Sequence, residues 1–178
     1  MRIISGIHKG RRLMAPKNLP ARPTTDFAKE GLFNTIGNDV NINDIDVLDL
    51  FAGIGGITFE FASRGAKKIV CIDENYNCIS FIKKTARELE FNQINAFKND
   101  VFRYLKKYDT QFDIIFADPP YQLKNIDQVP ELVFEKNLLK ENGILILEHD
   151  RNWDFSEHKN FVKHRKYSNV NFSFFENT

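Results

Sequence analysis

Sulfur is scarce in this 178-residue chain, which has two cysteines and two methionines. Cys71 lies in an apolar run and Cys78 follows in the next polar segment; neither has a His or Cys partner at zinc-ligand spacing. Two thiols do not make a disulfide framework, so two reduced cysteines and no metal are expected. Long apolar runs are also missing. The longest, Asp113-Ile114-Ile115-Phe116-Ala117 and Ile144-Leu145-Ile146-Leu147, fall far short of the ~20 residues that a bilayer span requires. Met1-Arg2-Ile3-Ile4-Ser5-Gly6 meets basic residues at once, without the apolar stretch and small-residue cleavage site of an export signal, so a cytoplasmic location is expected. There is no internal repeat and no low-complexity tract. Excess charge is absent too, at a net +1, yet its distribution is uneven. Arg2, Lys9, Arg11, Arg12, Lys17 and Arg22, with His8 among them, all precede the first acidic residue, Asp26.

What is present is enough for a core. The hydrophobic fraction of 42% and the length fit one domain of ordinary size. Residues 1–23 read as a basic β-hairpin or extended arm outside the core. Arg2-Ile3-Ile4 and Arg12-Leu13-Met14 flank turn-prone glycines, and a proline-punctuated stretch from Pro16 to Pro23 follows. Thr24, Thr25 and Asp26 can cap a helix carrying Phe27, Leu32, Phe33 and Ile36, ending near Gly37. Residues 24–178 then alternate. Strands are expected at Asp46–Leu50, Lys68–Asp73, Ile94–Lys98, Phe112–Ala117 and Ile144–Glu148. Helices are expected at Gly55–Arg64, Asn75–Glu90, Val101–Lys107 and Val129–Leu139. Strand-like runs at Asn160–His164 and Asn169–Phe175 close the chain. Continuously apolar strands alternating with helices imply a doubly wound α/β sheet, parallel and covered on both faces. Ligands of such sheets sit beyond the carboxyl ends of the strands, where strand order reverses.

The first strand runs into Asp49-Leu50-Phe51-Ala52-Gly53-Ile54-Gly55-Gly56, a strand, a glycine turn and a helix start. Phe51, Gly53 and Gly55 line a turn whose backbone can lie against a ligand. Asp73, with Glu74 beside it, ends the second strand, where a carboxylate can accept from both hydroxyls of a ribose. A solvated strand end is the plainer reading of Asp73. For a dinucleotide a third glycine is required where Thr58 stands, and Asp49 would repel a pyrophosphate. The same carboxylate can pair with the ammonium end of S-adenosylmethionine, which is therefore the expected cofactor. Asp100 is placed to hold an adenine amino group, with Val101 packing on the ring; a helix N-cap is an alternative for Asp100, and both roles can hold at once.

The fourth strand ends in Ala117-Asp118-Pro119-Pro120-Tyr121. Two prolines fix φ twice and remove two donors, so the loop is stiff and its carbonyls stay available. An exocyclic amino nitrogen on a base is a poor nucleophile, because its lone pair is delocalised. With Asp118 and the Pro119 carbonyl accepting its N–H bonds, such a nitrogen is held in position for attack, and Tyr121 would stack on the base. A bare turn is the alternative reading of the four residues.

Taken together, these residues resemble bacterial 16S ribosomal RNA guanine-N2 methyltransferases of the small-subunit type, over nearly the whole chain. The resemblance rests on Arg2-Ile3-Ile4-Ser5-Gly6…Gly10-Arg11-Arg12-Leu13, Arg22-Pro23-Thr24-Thr25-Asp26, Glu30-Gly31-Leu32-Phe33-Asn34, Asp49-Leu50-Phe51-Ala52-Gly53, Ser63-Arg64-Gly65-Ala66 and Asp118-Pro119-Pro120-Tyr121. It implies a Rossmann-like sheet of seven strands with an amino-terminal hairpin arm, acting on a guanine of small-subunit rRNA or of the assembled particle. The chain departs from the family's pattern at Ile54, where a serine is frequent, and at Tyr167-Ser168-Asn169, where a glycine usually follows the tyrosine.

In that setting Lys9, Arg11, Arg12 and Arg22 are expected to contact RNA phosphates, and Lys163, Arg165 and Lys166 could extend the surface. A solvated charged face is the alternative. His149 reads as a polar strand end. A monomer is expected. Three rival functions stay open at this level: an amine methyltransferase for DNA adenine or protein, a non-catalytic RNA-binding module, and an NAD-dependent oxidoreductase.

Overall fold

Runs rich in Val, Ile, Leu and Phe pair into one sheet in the computed structural model, which describes residues 1–19 and 24–177. In chain order the elements are α1 (Asp26–Asp39), β1 (Asp46–Leu50), α2 (Gly56–Ser63), β2 (Lys68–Asp73), α3 (Tyr76–Glu88), β3 (Ile94–Lys98), α4 (Val101–Lys107), β4 (Phe112–Ala117), α5 (Gln128–Glu135), β5 (Leu139–His149), β6 (Phe161–Tyr167) and β7 (Val170–Glu176). The seven-stranded sheet has the order β3-β2-β1-β4-β5-β7-β6. β1 to β5 are mutually parallel, whereas β7 runs antiparallel to both of its neighbours, β5 and β6. The sheet is therefore mixed, and the all-parallel expectation fails at β7, the one strand that runs against the others. A hairpin turn through Ser168, at φ 57, reverses the chain there without a crossover helix.

Because side chains alternate along a strand, each strand serves two cores. Val47, Ile114 and Ile146 pack with Phe33 of α1, Phe59 of α2 and Ile82 of α3, while Leu48, Ile115 and Leu145 pack with Leu105 of α4 and Val133 of α5. Strand order reverses between β1 and β4, whose register sets Leu50 opposite Ala117.

Two boundaries move furthest. α5 ends at Glu135 and not at Leu139, because Asn137 adopts φ 52 and Leu139 already pairs with Phe112. β5 correspondingly begins at Leu139, ahead of a register shift opposite Phe112 and Ile114. Phe27, expected on the apolar face of α1, is 64% exposed.

The arm is also a correction. Its hairpin is minimal, an antiparallel bridge between Arg2 and Arg12 flanked by Ile3 N→Arg11 O (3.0 Å) and Leu13 N→Met1 O (2.9 Å). Yet Ile3 and Leu13 are buried in the main core. Polar groups bind it as firmly. Glu60 of α2, fully buried, accepts from Ile4 N (2.8 Å), Ser5 N (3.0 Å) and Arg64 Nε (2.8 Å), with the buried Lys29 ammonium 3.6 Å away. Gly6, at φ 83, lies so close to α2 that a Cβ there would sit 1.8 Å from Ser63 O. A buried carboxylate needs donors, and the arm's backbone supplies two of them.

Candidate functional site

The site grows from the strand ends at the reversal. After β1 the chain passes through Phe51, at φ 59, into the glycine turn and α2. Ala52 N donates to Ile72 O (2.9 Å) and Gly55 N to Ala52 O (2.8 Å), which folds the turn back on the tip of β2. Gly55 is the left-handed cap of α2 at φ 81, and a Cβ there would press on the Phe59 ring at 2.9 Å. Asp73 staples turn to strand: one carboxylate oxygen accepts from Gly53 N (2.8 Å) and the other from Asn75 N (2.8 Å). Each oxygen keeps a lone pair for a ligand hydroxyl. Asp100 caps α4 by accepting from Arg103 N (2.6 Å) and shares a hydrogen bond with the exposed Glu74, whose carboxyl is raised above its ordinary range chiefly by that contact. Val101 keeps 1% of its surface and packs into the core of α4 and α5, leaving its side chain little area to offer a ring.

Asp49 lies beneath this turn, 1% exposed, and accepts a 2.5 Å hydrogen bond from Thr58 Oγ1. Burial pushes its carboxyl up to about 7, and the nearby Asp118 and Asp73 add to the rise. Thr58, which in the sequence marks only a missing glycine, is thus the group that orients Asp49.

Across the reversal stands the proline corner. Asp118 N donates to Leu50 O (3.3 Å), tying the corner to β1, and Leu123 N donates to Pro120 O (2.9 Å), closing it. Pro119 is buried, Asp118 is partly exposed, and Pro120 and Tyr121 face outward. The Ala117–Leu147 pairing sets the next residues, Asp118 and Glu148, side by side on one sheet face. Glu148 is 4% exposed; its Oε1 lies 3.5 Å from the Tyr121 hydroxyl, and no donor meets its Oε2. Burial raises both carboxyls, Asp118 to about 7 and Glu148 to about 9, the latter also through the charge of Asp118. Burial and mutual repulsion therefore favour a proton shared by the pair. Sequence reasoning missed Glu148. The available signal was an acidic residue near the end of the apolar strand that follows the corner in the chain.

Among the described residues no cation forms an ion pair with Asp49, Asp73, Asp118 or Glu148, and no cluster suited to a metal ion occurs. The strand ends thus gather carboxyls that have no cationic partner among the described residues, a charge pattern suited to a cationic ligand that also carries a ribose.

The family described as Conserved hypothetical protein 95 matches residues 1–176. The Ribosomal RNA small subunit methyltransferase D of Buchnera aphidicola subsp. Baizongia pistaciae is 32% identical, with 96% of this chain and 93% of that one covered. The chain belongs to this methyltransferase family. A solved structure from Escherichia coli superposes with a TM-score of 0.87 at 26% identity, covering 99% of this chain and 97% of that one. The Thermus thermophilus 16S rRNA N2 G1207 methyltransferase, solved with AdoMet and guanosine, shares the fold at a TM-score of 0.69 and 23% identity, covering 84% of this chain and 42% of that one. The sheet is thus the Rossmann-like one of S-adenosylmethionine-dependent methyltransferases.

Within this fold the structure gathers Asp49, Phe51, Gly53, Gly55, Asp73 and Asp118 to Tyr121 around one reversal point. Glu74 and Asp100 stand at the tips of β2 and β3. Lys9, Arg11 and Arg12 are exposed on the arm, while Arg22 lies outside the described residues. Arg2 is held by Asp26 at 3.1 Å. His149 is buried and bonded to Ser173 Oγ (2.9 Å) and Asp150 O (2.7 Å), as a strand-end residue, and burial lowers its pKa. No helix among the described residues is long and apolar enough to cross a membrane.

Proposed function

We propose that the chain transfers a methyl group from S-adenosylmethionine to the exocyclic N2 of a guanine in 16S rRNA. The observation that carries this reading is the backbone tie between Asp118 and Leu50, which holds the stiff acceptor corner against the glycine turn. Asp73 would hold the ribose, Asp49 the cationic end of the donor, and Asp100 with Glu74 the adenine amino group. When bound, the donor supplies an electrophilic methyl on a sulfonium.

The protein's part is positional and electrostatic. Asp118 and the Pro119 carbonyl accept the two N–H bonds of the target amine, draw density onto nitrogen and aim its lone pair. Tyr121, 45% exposed at the mouth, offers its face to the base. The proton released from N2 goes to the Asp118 carboxylate, whose raised pKa of about 7 makes it a better acceptor than an exposed aspartate. The target base must leave its stack to reach this corner. Lys9, Arg11, Arg12 and Arg22 of the 1–23 arm supply phosphate contacts, and the chain acts as a monomer in the cytoplasm.

The name of the relative supports small-subunit rRNA as the substrate, and the guanosine bound in the Thermus enzyme supports guanine over adenine. Nucleosides from small-subunit rRNA of cells lacking the protein, read by mass spectrometry, are expected to lose one N2-methylguanosine. An unchanged nucleoside profile overturns the reading. In vitro, Asp118→Ala is expected to abolish transfer while S-adenosylmethionine still binds; full activity in that variant removes the assignment of the corner.

A further inference from the structure

The reaction just described uses Asp118 and leaves Glu148 without a task, although the two carboxyls lie side by side on adjacent strands. An ionised Glu148 in this place is untenable: its Oε2 is buried with no donor, and its neighbour is another carboxylate. A single proton resolves both difficulties. In its acid form Glu148 could donate to the neighbouring Asp118, while Oε1 faces the Tyr121 hydroxyl at 3.5 Å.

We propose that Glu148 is a positioning residue, donating a hydrogen bond in its acid form to Asp118 and holding that carboxylate in the orientation that accepts the target N–H. This role rests on the assignment of Asp118 above. The other groups facing the pair leave the proton where it is. Tyr121 comes from the same corner, and Asp49 approaches from β1 as a further acid. On β7 the same row of this face holds the apolar Phe172, and on β6 it ends in the exposed Arg165. His149, the next residue along β5, alternates to the opposite face and is occupied by Ser173 and the Asp150 carbonyl.

The consequence is a bell-shaped pH dependence. As pH falls through about 7, Asp118 gains a proton and stops accepting; as it rises through about 9, Glu148 loses its own and repels Asp118. The amide introduced by Glu148→Gln could still donate an N–H to Asp118 but could not ionise.

Transfer kinetics of the full chain on small-subunit rRNA, over pH ~6 to 10, test this with Glu148→Gln and Glu148→Ala beside wild type. Glu148→Ala is expected to lower kcat ~10²-fold, the usual consequence of a displaced catalytic group, with KM for S-adenosylmethionine little changed. Glu148→Gln is expected to recover to within about tenfold of wild type and to lose the alkaline fall. The role is overturned if Glu148→Ala matches wild type, if Glu148→Gln is as impaired as Glu148→Ala, or if the alkaline fall persists in Glu148→Gln. Wild type separates the two questions: no methylguanosine from wild type sinks the assigned reaction and this role with it. Normal wild-type product with any of those three outcomes sinks the Glu148 role alone.

Discussion

Asp49→Asn isolates the conflict between stability and cationic-ligand binding at the strand ends. Asp49 keeps 1% of its surface, has no cationic partner, and titrates near about 7 against an ordinary 3.8. A tenfold change in proton affinity corresponds to about 1.4 kcal/mol, so ionising this group in the folded state costs at most about 4 kcal/mol. Part of the rise comes from the charges of Asp118 and Asp73 and not from burial, and about half of that ceiling is the working figure. The sign follows from proton counting. Between the unfolded value near 4 and about 7 the folded protein binds more protons than the unfolded chain, so stability falls as pH rises through this window. Asparagine has nearly the same shape and still accepts from Thr58 Oγ1. Urea denaturation is therefore expected to show Asp49→Asn more stable than wild type by about 2 kcal/mol at pH ~8 and nearly equal to it at pH ~4. Calorimetry at pH ~8 is expected to show S-adenosylmethionine bound at least about tenfold more weakly, as one charge-assisted hydrogen bond is removed. A stability gain of the same size at both pH values would refute the burial argument. An undiminished affinity for the donor would refute the placement of its charged end.

Two further changes probe the arm. Neutralising Arg11 and Arg12 together is expected to weaken rRNA binding and to reduce the slope of log affinity against log salt by about 2, one for each phosphate no longer neutralised; an unchanged slope discards the arm as a binding surface. Glu60→Ala leaves Lys29 buried without its partner and removes the acceptor of the Ile4 and Ser5 amides, so thermal or urea unfolding should register a loss of about 3–5 kcal/mol. A loss below about 1 kcal/mol would show that Glu60 adds little to what Ile3, Leu13 and the hydrogen bonds to Ser63 already hold.

Much of the site was legible because its parts are local. A strand that runs into glycines, an aspartate at the next strand end and a paired-proline corner each announce themselves within a few residues. The order of strands and helices then predicts which loops share an edge. Arg165 shows the other side of the matter. In the sequence it is one of three basic residues near the end, whereas the strand register places it in the same row and on the same face as Glu148. α5 and β5 were misjudged at their junction for a comparable reason. Leu138 and Leu139 are an isolated apolar pair that suits helix or strand, and pairing of Leu139 with Phe112 decides in favour of the strand.

Local sequence alone determined the alternating architecture, the glycine turn, the strand-end position of Asp73 and the paired-proline corner at Asp118, since backbone conformation at strand ends is set by near neighbours. Tertiary structure decided what lies across the sheet. It paired Glu148 with Asp118, turned Thr58 into the partner of Asp49, and drew Ile3 and Leu13 into the core against Glu60. Those outcomes depend on burial and on contacts between residues far apart in the chain, and the cost of an unpartnered buried charge exists only once the surrounding elements have excluded water.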